Sequence, residues 1–320
     1  MKTLRYALIF FLIGISIKGM AQQDAQFTQY VFDGLAVNPG YAGYKEATNA
    51  SLLYRNQWTG IDGSPKTLTA SIDGLSGDKR TGLGFHIIQD QLGAENNLSA
   101  FGSYSFRLRL GEEERLSLGL AAGLVQYTVD GNKLTPLHKD PSFSGKQSVI
   151  NPDLNFGIFY ASSHYFWGLS VTDLFSNLQY NNSAFLYLYR VRHYYAQAGA
   201  IFELNENFSI KPSFLLKQDF KGPANLDINL FFLLGRQIWL GTSYRTGVKF
   251  LSGSNLESNL QSTDALSAIV EFNLDQHWRL GYSYDYTTSH LNSVSAGSHE
   301  ISLGYRFLKK NAPVLSPRNF

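Results

Sequence analysis

The chain reads as an all-β protein, a transmembrane outer-membrane β-barrel of about fourteen antiparallel strands. Three features of the sequence carry that expectation. Apolar and polar residues alternate with period two through most of its length, charge is confined to one parity of those runs, and the connections are short at one end of the strands and long at the other.

The N-terminus comes first. Lys2 and Arg5 form a positive start, Ala7 to Ile17 an apolar stretch, and Gly19-Met20-Ala21 a small-residue cleavage signature. Residues 1–21 are therefore expected to be a signal peptide cut near Ala21. The apolar stretch falls short of the roughly 20 residues a spanning helix needs, so an uncleaved anchor is disfavoured.

Composition narrows the class further. Only 16% of the 320 residues are charged and 14% are aromatic, against roughly 25% charged in an ordinary soluble domain. Mean hydropathy is still slightly negative, as suits strands with two unlike faces rather than apolar helices. The formal net charge of +2 is too small to argue for a nucleic-acid partner, and no basic stripe appears, so none is expected. With no cysteine, disulfides and thiolate metal sites are excluded. No cofactor is expected.

The barrel itself is assigned to residues 48–307. Leu68, Ala70 and Ile72 alternate with Thr69, Ser71 and Asp73; Leu226, Ile228, Leu230 and Phe232 alternate with Asn225, Asp227 and Asn229. In the last hairpin Leu280, Tyr282, Tyr284 and Tyr286 oppose Arg279, Ser283 and Asp285, and the final run stops at Phe307. Arg55, Asp73, Lys211, Arg245, Glu271 and Arg306 all fall on the polar parity. A charge at mid-depth facing lipid costs about 2–4 kcal/mol, so this exclusion fits apolar positions that face lipid. Arg107, Arg109, Arg245, Arg279 and Arg306 then share the interior with Asp73, Asp227, Glu271 and Asp285. Such a mixed set suits pairing across a filled lumen better than a selective pore, where one sign dominates.

Connections set the topology. LGEEER, SSH, NEN and GRQ are short, whereas the links from Val129 to Pro152, Leu174 to Arg192 and Gly247 to Thr263 are long. Short turns mark the periplasmic end of such barrels, which puts both termini there.

Two segments flank the barrel. Residues 22–47 are turn-rich, with Phe27, Tyr30, Phe32, Tyr41 and Tyr44 crowded together. That many aromatics is hazardous on a free tail, so the segment is expected to occupy the lumen as a plug or to cover its periplasmic mouth. Residues 308–320 are basic and carry two prolines; they are expected to form a periplasmic tail.

Three blocks of sequence resemble a known family. They are FTQYVFDGLAVNPGYAG (Phe27 to Gly43), RNQWTGIDGSPKT (Arg55 to Thr67) and GYSYDYTTSHLNSVSAGSHEISLGYRF (Gly281 to Phe307). Together they resemble the PorP/SprF family, outer-membrane components of the type IX secretion system. The commoner family pattern has Asn at Asp33 and Ala at Gly40. The resemblance implies a barrel that supports export and surface anchoring of a large adhesin-type cargo through the cargo's C-terminal sorting domain. It also implies periplasmic type IX or peptidoglycan-linked partners, with outer-membrane lipid around the wall.

Two other classes stand beside that implication. One is an outer-membrane transporter of hydrophobic small molecules with an N-terminal plug. The other is a barrel hydrolase, which needs a nucleophile and a base held together. His299 and Ser302 fall on opposite strand faces, and His138 with Asp140, in the long loop after strand five, reads as a solvated loop pair. No calcium loop is present, and the sequon at Asn181 is a chance match. No catalytic or metal residue is assigned, and the chain is not expected to be an enzyme. For cargo binding the run AFLYLYRVR stands out, with Phe185, Tyr187 and Tyr189 on one parity and Arg190 and Arg192 beside them. Tyr and Arg are enriched at binding hot spots. The competing reading makes that run an extension of strand eight into the aromatic girdle.

Overall fold

The computed structural model describes residues 27–133, 145–175, 191–235, 237–248 and 263–308. The expected signal peptide, nearly all of the expected tail and much of the three longest loops lie outside the described residues.

Fifteen strand segments form one sheet. They are β1 (Thr48–Asn56), β2 (Lys66–Leu75), β3 (Thr81–Leu92), β4 (Glu95–Arg109) and β5 (Arg115–Asp130). Next come β6 (Lys146–Ala161), β7 (Tyr165–Thr172), β8 (His193–Ala200), β9 (Phe202–Asn205) and β10 (Phe208–Gln218). The last are β11 (Ala224–Leu234), β12 (Ile238–Val248), β13 (Thr263–Asn273), β14 (Trp278–Thr287) and β15 (Ser298–Phe307). Each pairs antiparallel with its neighbours, and β1 pairs with β15 from Thr48↔Phe307 to Asn56↔His299, which closes the barrel. Phe307 therefore ends its strand level with the first residue of β1. Closure removes the unpaired edges that an open sheet would leave in lipid.

Segments β8 and β9 are one strand interrupted once, so the barrel has fourteen staves. On either side of the gap the register is the same, Ser213↔Gly199 and Ile210↔Phe202. Opposite the gap stands Pro212, which has no N–H to donate to a ladder. The Ile201 N–H donates to the carbonyl of His164, 2.7 Å away, and so continues the register of β8 on β7 through the gap.

The alternation sorts the two faces. Leu52, Leu68, Phe85, Leu120, Ile228, Leu240 and Ile301 are exposed on the outside, while Arg55, Asp73, Arg245, Glu271, Arg279 and Arg306 are buried on the inside. Arg109 departs from expectation. It is exposed at the last residue of β4, and its Nε donates to the Gly111 carbonyl in the adjoining turn.

One end of the barrel carries short turns at 76–80, 110–114, 162–164, 206–207, 235–237 and 274–277. Two of them are closed by a carboxylate. Asp78 accepts from the backbone N–H groups of Arg80 and Thr81, and Asp275 from those of Trp278 and His277. These bonds hold both carboxyls below the usual range. At the other end β5 and β6 run on to Asp130 and Lys146, so the link between them is shorter than the sequence suggested. Pro152 does not stop β6, because the ladder between β6 and β7 begins only at Phe156 and the proline is paired on the β5 side alone, opposite Leu124. Here Gln126 and Thr128 each bond to Ser148 on the outer face, a polar patch where the strands have left the hydrocarbon.

Candidate functional site: the filled lumen

Residues 27–47 lie inside the barrel. This inner segment turns at Gln29–Val31 and again at Pro39–Tyr41, each a single 3-10 turn. Asn38 sets the second turn by accepting from the Gly40 N–H at 2.8 Å, with Pro39 fixing the first helical position. Its amide then donates to the carbonyls of Ile158 and Leu169 at 3.0 and 3.3 Å, tying the turn to the wall.

Such close approach needs a wall without side chains at the contact. Gly119 and Gly157 are inward-facing positions on β5 and β6, and a Cβ on either would run into Gly40 and Asn38. On β3 a Cβ at Gly82 would strike the carbonyl of Ala42. These glycines fall on the luminal parity because the inner segment's backbone occupies their side-chain space.

At its start the segment is held by ions. Thr28 Oγ1 donates to Asp285 at 2.8 Å, and the N–H groups of Thr28 and Gln29 donate to the two Glu300 oxygens at 3.0 and 2.7 Å. Arg55 bridges both acids, 2.7 Å to Asp285 and 3.1 Å to Glu300, and donates to Thr28 Oγ1. Arg55 is 2% exposed, Asp285 2% and Glu300 0%. Beside them Arg245 makes a two-pronged pair with Asp227 at 2.8 and 3.1 Å and reaches the Phe27 carbonyl. The three blocks that carry the family resemblance, far apart in sequence, converge here: Thr28 from the first, Arg55 from the second, Asp285 and Glu300 from the third.

The five aromatics singled out in the sequence all point into this interior. Phe32 meets Phe231 edge-on at 5.3 Å and is buried with Leu233, Trp239 and Ile269. Tyr41 and Tyr44 pack on Phe159, at 5.5 and 5.1 Å, beside Leu35 and Ala42. Tyr30 lies with Val37, Tyr195 and Leu215, its hydroxyl accepting from Asn229 at 2.6 Å, and Phe27 is half-buried against the same group. Asp33 accepts from Ser51 and Ser71 of the wall, and Lys45 donates to the Phe32 carbonyl at 2.7 Å.

The luminal charges pair as a filled interior requires, Arg279 with Glu271 at 3.7 Å and Arg107 with Glu46 at 3.4 Å adding to the pairs above. Above the segment, toward the long-loop end, lies a cavity of about 90 Å³ bordered by Phe27, Tyr30, His86, Asn97 and Asp227.

The remaining candidates stand apart from this interior. Phe185, Tyr187, Tyr189 and Arg190 lie outside the described residues, as do His138, Asp140 and Asn181. Arg192 is exposed, and its Nε donates to the Leu174 carbonyl at 3.2 Å. Ser302 bonds inward to Gln29, while His299 bonds Tyr282 on the exposed side. Among the described residues no group of His, Asp and Glu could hold a metal, and no helix is long and apolar enough to cross a membrane. Sequence reasoning missed Thr28, Gln29, Glu300 and the wall contacts of Asn38, though it read Asn38-Pro39-Gly40 as a turn. The signal for them was the run of luminal glycines, which announces a backbone close by.

Residues 19–305 match the family model described as type IX secretion system membrane protein PorP/SprF. No curated protein matches the chain. In fold it is similar to the Ralstonia pickettii toluene transporter TbuX, with TM-score 0.50 and 9% identity over 85% of this chain and 92% of that one. It is also similar to the CymD monoaromatic hydrocarbon channel, with TM-score 0.49 and 11% identity over 86% and 92%. A third likeness is to the KdgM porin, with TM-score 0.38 and 10% identity over 81% and 99%. At such identities the likeness is one of fold alone.

Proposed function

This chain belongs to the PorP/SprF family of type IX secretion system membrane proteins, and on that premise we propose that it anchors a cognate exported protein at the cell surface. It is an outer-membrane β-barrel of that secretion system, and its family is one of membrane components rather than of enzymes. The cargo in this reading is a large adhesin-type protein that is held through its C-terminal sorting domain. One observation supports it most: the lumen is filled by the chain's own residues 27–47, bonded to the wall from β1 to β15. A barrel filled in this way acts as a scaffold, with the inner segment as its plug. What it offers a partner is its rim.

The long-loop end is the extracellular one by the general rule for these barrels, and it is the end an exported domain reaches. The short-turn end faces periplasmic type IX or peptidoglycan-linked components. The transporter reading is weaker on physical grounds. An apolar solute crossing this lumen would have to pass Arg55, Asp227, Arg245, Asp285 and Glu300, all buried and paired.

The test is retention of cargo. With Phe185→Ala, Tyr187→Ala and Arg190→Ala combined in the only copy of the protein, the barrel should remain in the membrane and the cargo should appear in the medium. Cargo that stays fully attached to those cells removes this run from the anchoring surface.

A further inference from the structure

The cavity above the inner segment has a chemistry of its own. Its walls come from the long-loop halves of the strands: His86 on β3, Asn97 and Phe101 on β4, Tyr195 on β8, Asp227 on β11 and Arg245 on β12. We propose that it is a receptor for the cationic head group of a peptide side chain, a guanidinium or an ammonium, presented from the extracellular side.

Three observations carry this. First, two polar atoms in the lining are buried and without a hydrogen-bond partner, His86 Nδ1 and Asn97 Oδ1. His86 is 3% exposed and stacked on Phe101. The Asn97 oxygen is an acceptor, and so is His86 Nδ1 when the ring proton sits on Nε2, so both call for a donor-rich guest. A buried acceptor left unpaired is costly, and a donating guest would relieve that cost.

Second, the ionisable groups that line the cavity are Asp90, Asp173 and Asp227 with Lys217 and Arg245. Arg245 and Asp227 neutralise each other at 2.8 and 3.1 Å, and Asp173 stands 3.6 Å from His193. The formal balance of the lining is one negative charge, the sign that favours a cation inside a low-dielectric wall. The aromatic floor of Phe27, Tyr30 and Tyr195 favours one too, and Lys217 already sits 5.9 Å over the Tyr195 ring.

Third, size decides what part of a ligand enters. A cavity of about 90 Å³ is smaller than the roughly 150 Å³ that accommodates a benzene ring. It admits the tip of a side chain and excludes a whole sugar or aromatic ring. That the peptide belongs to the anchored cargo rests on the reading above; the binding itself does not.

The experiment uses the full chain purified in detergent and three capped tripeptides, Gly-Xaa-Gly with arginine, citrulline or glutamate at the centre, titrated calorimetrically. Arginine should bind about tenfold or more tighter than its uncharged isostere citrulline, with an affinity that falls as salt rises. Asn97→Leu should abolish that preference, and His86→Phe serves as the second variant should Asn97→Leu fail to fold. Equal binding of citrulline, tighter binding of glutamate, or no binding of the arginine peptide to the unmodified barrel overturns the proposal. Should the peptide bind and both folded variants retain the preference, the receptor is elsewhere and the proposal also falls. Should the variants lose the peptide while cells carrying them keep their cargo, the cavity stands as a cation receptor and only its link to the cargo fails.

Discussion

The two ends of the inner segment are held by opposite means. Toward the long-loop end Thr28 and Gln29 are fixed by three buried ions, Arg55, Asp285 and Glu300. Toward the short-turn end Phe32, Leu35, Tyr41 and Ala42 sink into apolar clusters with Phe231, Trp239 and Phe159. The difference separates two tasks. Burying apolar surface stabilises the docked segment in proportion to area and is tolerant of detail. Buried ion pairs add little net stability, because desolvation offsets their attraction, yet they punish misplacement severely. The aromatic end supplies the grip and the ionic end fixes the register.

That division can be broken at three points of decreasing consequence. Phe231→Ala empties the middle of an aromatic cluster and should lower the unfolding free energy by roughly 3–5 kcal/mol, measured by denaturant titration in detergent micelles. A loss under about 1 kcal/mol would mean that the short-turn end does not provide the grip. Arg55→Met leaves Glu300 buried without its cation and Asp285 with only the more distant Arg245, 4.0 Å away, and should cost about 3 kcal/mol. The triple change Arg55→Met, Asp285→Leu, Glu300→Leu should restore most of that stability while leaving residue 28 mobile to a spin label. A triple variant as unstable as the single one would show the ions to be net stabilisers and reverse the contrast. Tyr30→Phe, which removes one hydroxyl from Asn229, should cost only about 1 kcal/mol in the same denaturant titration, and a larger loss would place a third anchor midway.

Much of the wall was legible in the sequence. Alternation in runs such as Leu226–Phe232 fixes which side chains face lipid, and the exclusion of charge from that parity is a strong constraint because lipid offers no partner. The luminal side was harder to read. Asp285 and Glu300 obey the polar parity whether they meet water or Thr28, so these two residues by themselves do not distinguish an open pore from a filled one. The crowding of Phe27, Tyr30, Phe32, Tyr41 and Tyr44 pointed inward, but Asn38, which grips two wall carbonyls, looks like any turn asparagine. The break in the eighth stave was hidden for another reason: its cause, Pro212, lies on the neighbouring strand. The ends of β5 and β6 were misplaced because Pro152 reads as a stop, whereas a missing N–H is tolerated where β6 is paired on one side only.

The pairing of Arg55 with Glu300 has a consequence for the order of assembly. These two residues are partners across β1 and β15, the seam where the first and last strands meet, and Thr28 lies 272 residues from Glu300 along the chain. Contacts between such distant residues form late, since the loop they close must first be drawn in. The seat of the segment's leading end therefore does not exist until the final hairpin arrives, and the hairpin that supplies it is the one that shuts the wall. Sealing the cylinder and seating its contents become a single late event. A nascent barrel caught before that moment would be open at its side and unoccupied at that seat.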